Sequence, residues 1–403
     1  MVVTTLMWKS LDRCACYFSK FWTNPVDWNI KTKTLVFTPF SRKLIPWVIL
    51  VYGFLNILNS TLIFILVSQL FGFINLDFTD IIVIFFWSGQ VAFALVMETL
   101  FVIAGRNATY AFNSMTALAK KLCGQYIQQN IPALSDVKGI ALNLIVVILF
   151  CQPIAIYLFT LISPNLHPYI QLYSIIIEQG WRLPFVVKGA LLFLGVTLFV
   201  PLFLISRTIC VFICAPAITV YLSLECISTF LRTAGYQLCS ANNAIVDKYL
   251  RGYASFRIIF AISEEFAVPL VGITMFIGMW VNALFNFISL NMYGIIPPSA
   301  FPYFPAVSLL MAGVIQLLLP LIVSVYEDGV VLRAKWMCLL GGSQDKKYLK
   351  RKLSSIRLSA VYGGILGFYL YKCKRSTKFA FFGAIVSYTV TASLSYKANR
   401  RQV

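Results

Sequence analysis

EDGVVLRAKWMCLLGGSQDKKYLKRKLSSIRLSAVYGGILGFYLYKCKRSTK (327–378), followed by FAFFGAIVSYTVTASLSY (379–396), is the stretch that sets how the chain is laid out. Its first part holds twelve Lys or Arg against Glu327, Asp328 and Asp345. Loops this basic resist translocation and stay cytoplasmic, so the apolar run after it is expected to leave the cytoplasm as a last membrane span. That span is short and carries Gly383, Ala384, Ser387, Thr389, Thr391, Ala392 and Ser393. Small and hydroxyl residues at that density suit a helix that packs closely on protein or lines water.

Outward from this point, composition agrees. With 403 residues, 60% hydrophobic and 12% charged, the chain is too apolar for a soluble domain, and its apolar runs reach the roughly 20 residues that cross a bilayer. The formal net charge of +19 would suggest nucleic acid in a soluble protein. Here the positives fall between apolar runs, where they act as topology signals, and nucleic-acid binding is set aside. Lys9, Arg13, Lys20, Lys31, Lys33, Arg42 and Lys43 break up the first 44 residues, which lack the apolar core of a signal peptide and are expected to stay inside as an arm near the headgroups.

Spans are expected at about 45–74, 81–105, 139–163, 186–231, 266–290, 303–326 and 376–396. The loop NLDFTD, with Asp77, has two acids and no Lys or Arg and is expected outside. The fourth run is broken by Pro201, Arg207 and Pro216 and could hold one kinked helix or two. Charge separates the two layouts: one helix leaves 27 of the 33 Lys and Arg on the predicted inner side, whereas two would export both later basic loops. The fold class is therefore an all-α membrane protein with seven transmembrane helices, N-terminus cytoplasmic, with helical cytoplasmic extensions over residues 229–265. It divides into a 1–44 arm, a 45–326 six-span bundle, a 327–375 basic anchor segment and a 376–396 seventh span. The ten cysteines lie in spans or predicted inner segments, so no structural disulfide is expected.

In sequence, 350–396 resembles the arthropod gustatory and odorant receptor superfamily: a Lys/Arg-rich helix, Ser354-Ser355-Ile356-Arg357, a Gly-bearing turn at Gly363 and Gly364, then an apolar span containing Tyr388-Thr389. Gustatory receptors carry Thr-Tyr, five mostly apolar residues and Gln-Phe in the last span. This chain has Ser387-Tyr388, TVTAS and Leu394-Ser395, so the tyrosine alone is kept strictly. The resemblance implies a plasma-membrane chemosensory receptor, a homo- or hetero-tetrameric ligand-gated cation channel that detects small organic molecules, with the inner extensions forming a shared anchor and the last span lining a central pore. On that span Phe382, Val386, Thr389 and Ser393 follow i, i+4, i+7, i+11 and share one stripe, apolar at the inner end and hydroxyl at the outer. Tight helix packing is the other use of such residues. Tyr157, Phe276 and Trp280 are candidates for enclosing a ligand in the outer half, although aromatics this abundant also serve as packing and interfacial anchors.

Other classes remain to be weighed. A secondary transporter is the main rival, because ionisable residues within spans mark ion or substrate paths. Glu98, Arg207, Glu225, Glu264 and Glu265 are of that kind, and Arg207 is expected to pair with Glu98. Seven spans do not divide into inverted halves, and no internal repeat is visible. A G-protein-coupled receptor would need its N-terminus outside, Asp-Arg-Tyr after the third span and Asn-Pro-x-x-Tyr in the seventh. An enzyme is the least supported class: His167 is the lone histidine, and no His cluster, phosphate loop or metal-ligand spacing points to a cofactor or metal.

Overall fold

A computed structural model describes residues 3–18, 21–76, 78–123, 136–162, 167–178, 184–197, 199–238, 243–296, 298, 301–340, 346–365 and 367–400. Asp77 and Asp345 lie outside the described residues. Among the described residues, seven helices are long and apolar enough to cross a membrane, as the hydropathy pattern predicts.

The N-terminal arm is a folded element of the bundle. In α1 (Thr5–Phe18) the buried Met7, Leu11, Cys14 and Phe18 recur at i, i+4, i+7 and i+11, one apolar stripe that docks against two later helices, α5 (Val137–Ile162) and α8 (Phe199–Leu238). An antiparallel hairpin of β1 (Val26–Asn29) and β2 (Thr34–Phe37) follows. Its turn closes through Lys33 N–H donating to the Asn29 carbonyl at 2.9 Å, with Lys33 at φ 53°. The free edge of β2 is satisfied by a side chain: Asn113 Oδ1 accepts from Leu35 N–H at 3.0 Å and Nδ2 donates to Leu35 O at 2.8 Å. A primary amide thus stands in for the missing strand.

The first span joins α2 (Ile45–Val48), a π-helical stretch at Ile49–Leu55, and α3 (Asn56–Leu70). Then come α4 (Phe78–Cys123), α5, the short α6 (Pro168–Glu178), and α7 (Phe185–Thr197), which with α8 makes one membrane-length run. This supports the single fourth span that the charge distribution predicts. α9 (Asn243–Asn291) and α10 (Tyr303–Leu339) complete the six-span bundle. At 1.5 Å per residue, the 46, 49 and 37 residues of α4, α9 and α10 reach about 69, 74 and 56 Å, against a hydrocarbon core of about 30 Å. Each therefore projects well beyond the membrane, and the projections gather at the end where the basic residues lie. Their core is aromatic. Trp336 Nε1 donates to Tyr249 Oη at 2.8 Å, Tyr249 Oη donates to Phe230 O at 2.9 Å, and the Tyr253 ring meets Trp336 edge-on at 4.7 Å. Large rings whose polar tips are paired can pack that core without leaving unsatisfied groups.

The quoted stretch that sets the layout folds as α11 (Lys346–Ser355), a hairpin of β3 (Tyr362–Ile365) and β4 (Phe368–Lys372), and α12 (Arg375–Arg400). α11 buries Leu349 and Leu353, and Lys352 Nζ reaches Asp247 Oδ1 of α9 at 2.9 Å. Gly363 and Gly364, expected in a turn, stand in a strand, and the turn falls at Gly367, whose φ is +84°. The partner strand explains them: a Cβ on Gly363 would run into the Tyr371 ring and one on Gly364 into Phe368 O, while α9 comes so near that a Cβ on Gly272 would lie 2.5 Å from Gly364 O. The all-α class holds, with two short hairpins set into it. Both join the membrane helices to the segments that brace them at the basic end.

Candidate functional site

α12 is the most open of the seven spans: 17% of its most apolar window is buried, against 46% for α7 and α8. It runs parallel to α9, which it meets through Trp280 stacked on Tyr388 at 5.4 Å, and Asn291 Nδ2 donates to Ser393 Oγ at 2.8 Å. The expected stripe of Phe382, Val386, Thr389 and Ser393 is divided by this packing. Thr389 is 6% exposed, its hydroxyl donating to Ile385 O at 2.8 Å, and Ser393 takes the Asn291 bond. Phe382 packs against a small cluster with Ile385 and Leu319, and Val386 alone of the four lies open. The face turned away from the bundle lies about 100° round the helix. It carries Gly383, Ser387, Val390 and Leu394, again at i, i+4, i+7 and i+11, all exposed. Hydropathy along a single helix leaves its rotation unspecified. The neighbour that fixes it, α9, lies about a hundred residues away in the chain.

The expected ion pair between Arg207 and Glu98 is corrected by the geometry. Arg207 Nη2 pairs with Asp27 of β1 and Nη1 donates to Trp22 O at 2.6 Å. Glu98 is fully buried and accepts from Trp47 Nε1 at 3.0 Å and from the Thr208 hydroxyl. The folded arm is the reason: its β1 brings Asp27 to the guanidinium, a partner that the span sequences alone do not contain.

Tyr157, Phe276 and Trp280 are not brought together. Tyr157 is half-buried and meets Phe199 edge-on at 5.5 Å. Phe276 and Trp280 are exposed, 6.4 Å apart on the outward side of α9 beside α12. A residue missed in the sequence is Tyr303 at the start of α10. Its hydroxyl accepts from Gln152 Nε2 at 3.2 Å, and its ring packs edge-on to Phe86 and Phe285 at 5.9 and 6.4 Å. Four helices thus converge on one polar pair in an aromatic shell, at the end opposite the basic extensions. Nothing local marks Tyr303, one of 20 tyrosines.

In the segment between α5 and α7, the buried His167 ring lies 3.3 Å from Gly195 O through Nε2, and burial holds its pKa below the ordinary histidine value. Among the described residues no group of three or more His, Cys, Asp or Glu is placed to hold a metal ion.

No family model and no curated protein matches this sequence. Against solved structures, the chain is similar to the insect olfactory receptor OR5 from Machilis hrabei, solved in complex with eugenol. The TM-score is 0.61 with 10% sequence identity, covering 95% of this chain and 97% of that one. At so low an identity the likeness establishes a shared fold: this chain has the seven-helix fold of an insect olfactory receptor.

Proposed function

We propose that the chain is a chemosensory receptor of the gustatory and odorant type, a ligand-gated cation channel of four subunits in the plasma membrane with its N-terminus cytoplasmic. The observation that carries this reading is end-to-end likeness of fold to an olfactory receptor, joined to an open last helix with a small, hydroxyl and apolar face. In this reading the pore stripe is Gly383, Ser387, Val390 and Leu394. Val390 and Leu394, toward the end opposite the basic segment, form a hydrophobic constriction that gates by dewetting, above the narrower side chains of Ser387 and Gly383. The ligand is a small organic molecule held around Tyr303 and Gln152, where an aromatic shell encloses a polar pair.

The test is expression in a cell line with calcium imaging against a panel of volatile and soluble organic compounds, followed by current recording. A conducting response that Ser387→Glu shifts in cation selectivity, and that Tyr303→Phe shifts in half-maximal concentration, supports the reading. Thr389→Lys is expected to reduce assembly, because its side chain faces α9. Unchanged conductance and selectivity in Ser387→Glu and Val390→Glu would remove α12 from the permeation path. A purified particle without four-fold symmetry would count against the channel as a whole and return the transporter to consideration.

A further inference from the structure

Glu264 and Glu265, adjacent acids on α9, have no part in the proposed gate or ligand site. Glu265 is accounted for by Asn107, whose Nδ2 donates to its carboxylate. Glu264 lines a partly open cleft of about 120 Å³ at the basic end of the bundle. The walls are α4, α8 and α9. Val26 and Leu35 of the first hairpin border it on one side, and Val361 and Tyr362, leading into the second hairpin, on another.

Space exists there because Ala108, Ala215 and Ala267 bring only methyl groups to the three walls. Phe101, Phe212 and Phe266 stack across the same helices with centroids 4.4, 5.7 and 6.0 Å apart, which makes one side rigid. The cleft follows α8 from Val211 to Ser223, about 18 Å of helix. Its serine and threonine hydroxyls are already engaged: Thr219, Ser223 and Ser263 each donate to a carbonyl of their own helix, at 2.9, 2.9 and 2.6 Å. Glu264 is the one carboxylate among the lining residues. It accepts one bond, at 3.3 Å from Tyr369 Oη of β4, and Arg257, about two turns away along α9, is turned to Leu358 O and Ser359 Oγ.

A half-buried carboxylate with unfilled acceptor capacity, facing long apolar walls, is complementary to a molecule with a cationic or N–H-bearing head and a hydrocarbon body. It disfavours a carboxylate head on the same body by like-charge repulsion. We propose that this cleft binds a single-chain alkyl amine, with its head on Glu264 and its tail along α8, entered from the bilayer leaflet on the basic side. The site is separate from the Tyr303 region at the other end, and the inference does not depend on whether the protein conducts. Since β3 and β4 lead directly into α12, an occupant would touch the segment that sets the position of the last span.

The test uses the full chain in nanodiscs and a diazirine-bearing analogue of dodecylamine, with cross-linked peptides mapped by mass spectrometry. Labelling is expected in 211–223, 260–271 or 361–362, displaced by dodecylamine and at least about tenfold less well by dodecanoic acid. Glu264→Gln is expected to weaken dodecylamine about tenfold and to erase its preference over the acid, while Glu265→Gln leaves both unchanged. Ala267→Trp fills the cleft and is expected to abolish labelling; if it prevents folding, the Glu264→Gln comparison decides alone. Labels confined to other segments, or an amine preference that survives Glu264→Gln as simple partition into the bilayer would, overturn the proposal.

Discussion

Replacing Asp27 by Asn removes the charge that meets Arg207 while keeping the shape of the side chain. The Arg207 side chain is 6% exposed and the Asp27 side chain 32%. Breaking a fully buried pair from one side costs about 3–5 kcal/mol, because the remaining charge is stranded. Here Trp22 O stays on the guanidinium at 2.6 Å, and Asp27 is a third open to water, so screening lowers the expectation to roughly 1.5–3 kcal/mol. Asp27 also accepts from Asn24 N–H at 3.0 Å, a bond that an amide oxygen can retain. A double-mutant cycle with Arg207→Met isolates the pair: coupling of about 1–3 kcal/mol is expected between 207 and 27. Between 207 and 98 it should be below about 0.5 kcal/mol, since those side chains bond elsewhere. The assay is equilibrium unfolding in mixed detergent micelles, with the arm's release followed by proteolysis within 19–25. If Arg207 couples more strongly to Glu98 than to Asp27, the pairing of Arg207 with β1 is wrong, and so is the docking of the arm.

Three further outcomes follow from the same contacts. Thr208→Val leaves one oxygen of the fully buried Glu98 without its donor and is expected to cost about 1–3 kcal/mol in the same unfolding assay. Gly272→Ala drives a methyl into Gly364 O at 2.5 Å; a loss of about 1–3 kcal/mol and faster protease cleavage within 362–372 are expected, while Gly313→Ala, with open space around it, is near neutral. Burial lowers the His167 pKa, so the unfolded chain binds the proton more readily. Its contribution to stability is complete above about pH 6.5 and is lost as pH falls through the folded value, and His167→Gln should flatten the thermal-stability profile of the purified protein between pH 6.5 and 5.

The span count was legible because bilayer thickness imposes a length of apolar sequence that no packing detail can disguise. The single long fourth span was legible for a related reason: basic loops constrain orientation wherever they lie. Helix rotation and pairing were not. Thr389 and Ser387 are two residues apart and chemically alike, yet one bonds inside the bundle and the other is exposed; the difference comes from Ala283 on another helix. Arg207 was visible as an anomaly, but its partner lies 180 residues away on a four-residue strand. Such strands carry too few positions for an alternation signal, and the glycines of β3 argue locally for a turn. Pairing with β4 makes them strand residues.

The exposed face of α12 remains the least self-sufficient surface of the chain. Val390 and Leu394 are 50% and 64% exposed, which lipid tails would tolerate, but Gly383, Ser387 and Thr391 lie on the same side of the helix. Lipid gains little from a glycine and cannot hydrogen-bond a hydroxyl, whereas close helix contact or water can use both. α12 is also held mainly by α9, with fewer contacts to α10, and it is fed by a hairpin whose position depends on the Gly272 approach. A helix held on one side, polar-dotted on the other and hinged at its base can shift without unpacking the bundle. In the proposed channel that is the property the gate requires: rotation of α12 by about 100° would exchange the Val390 and Leu394 stripe for the neighbouring one that contains Val386.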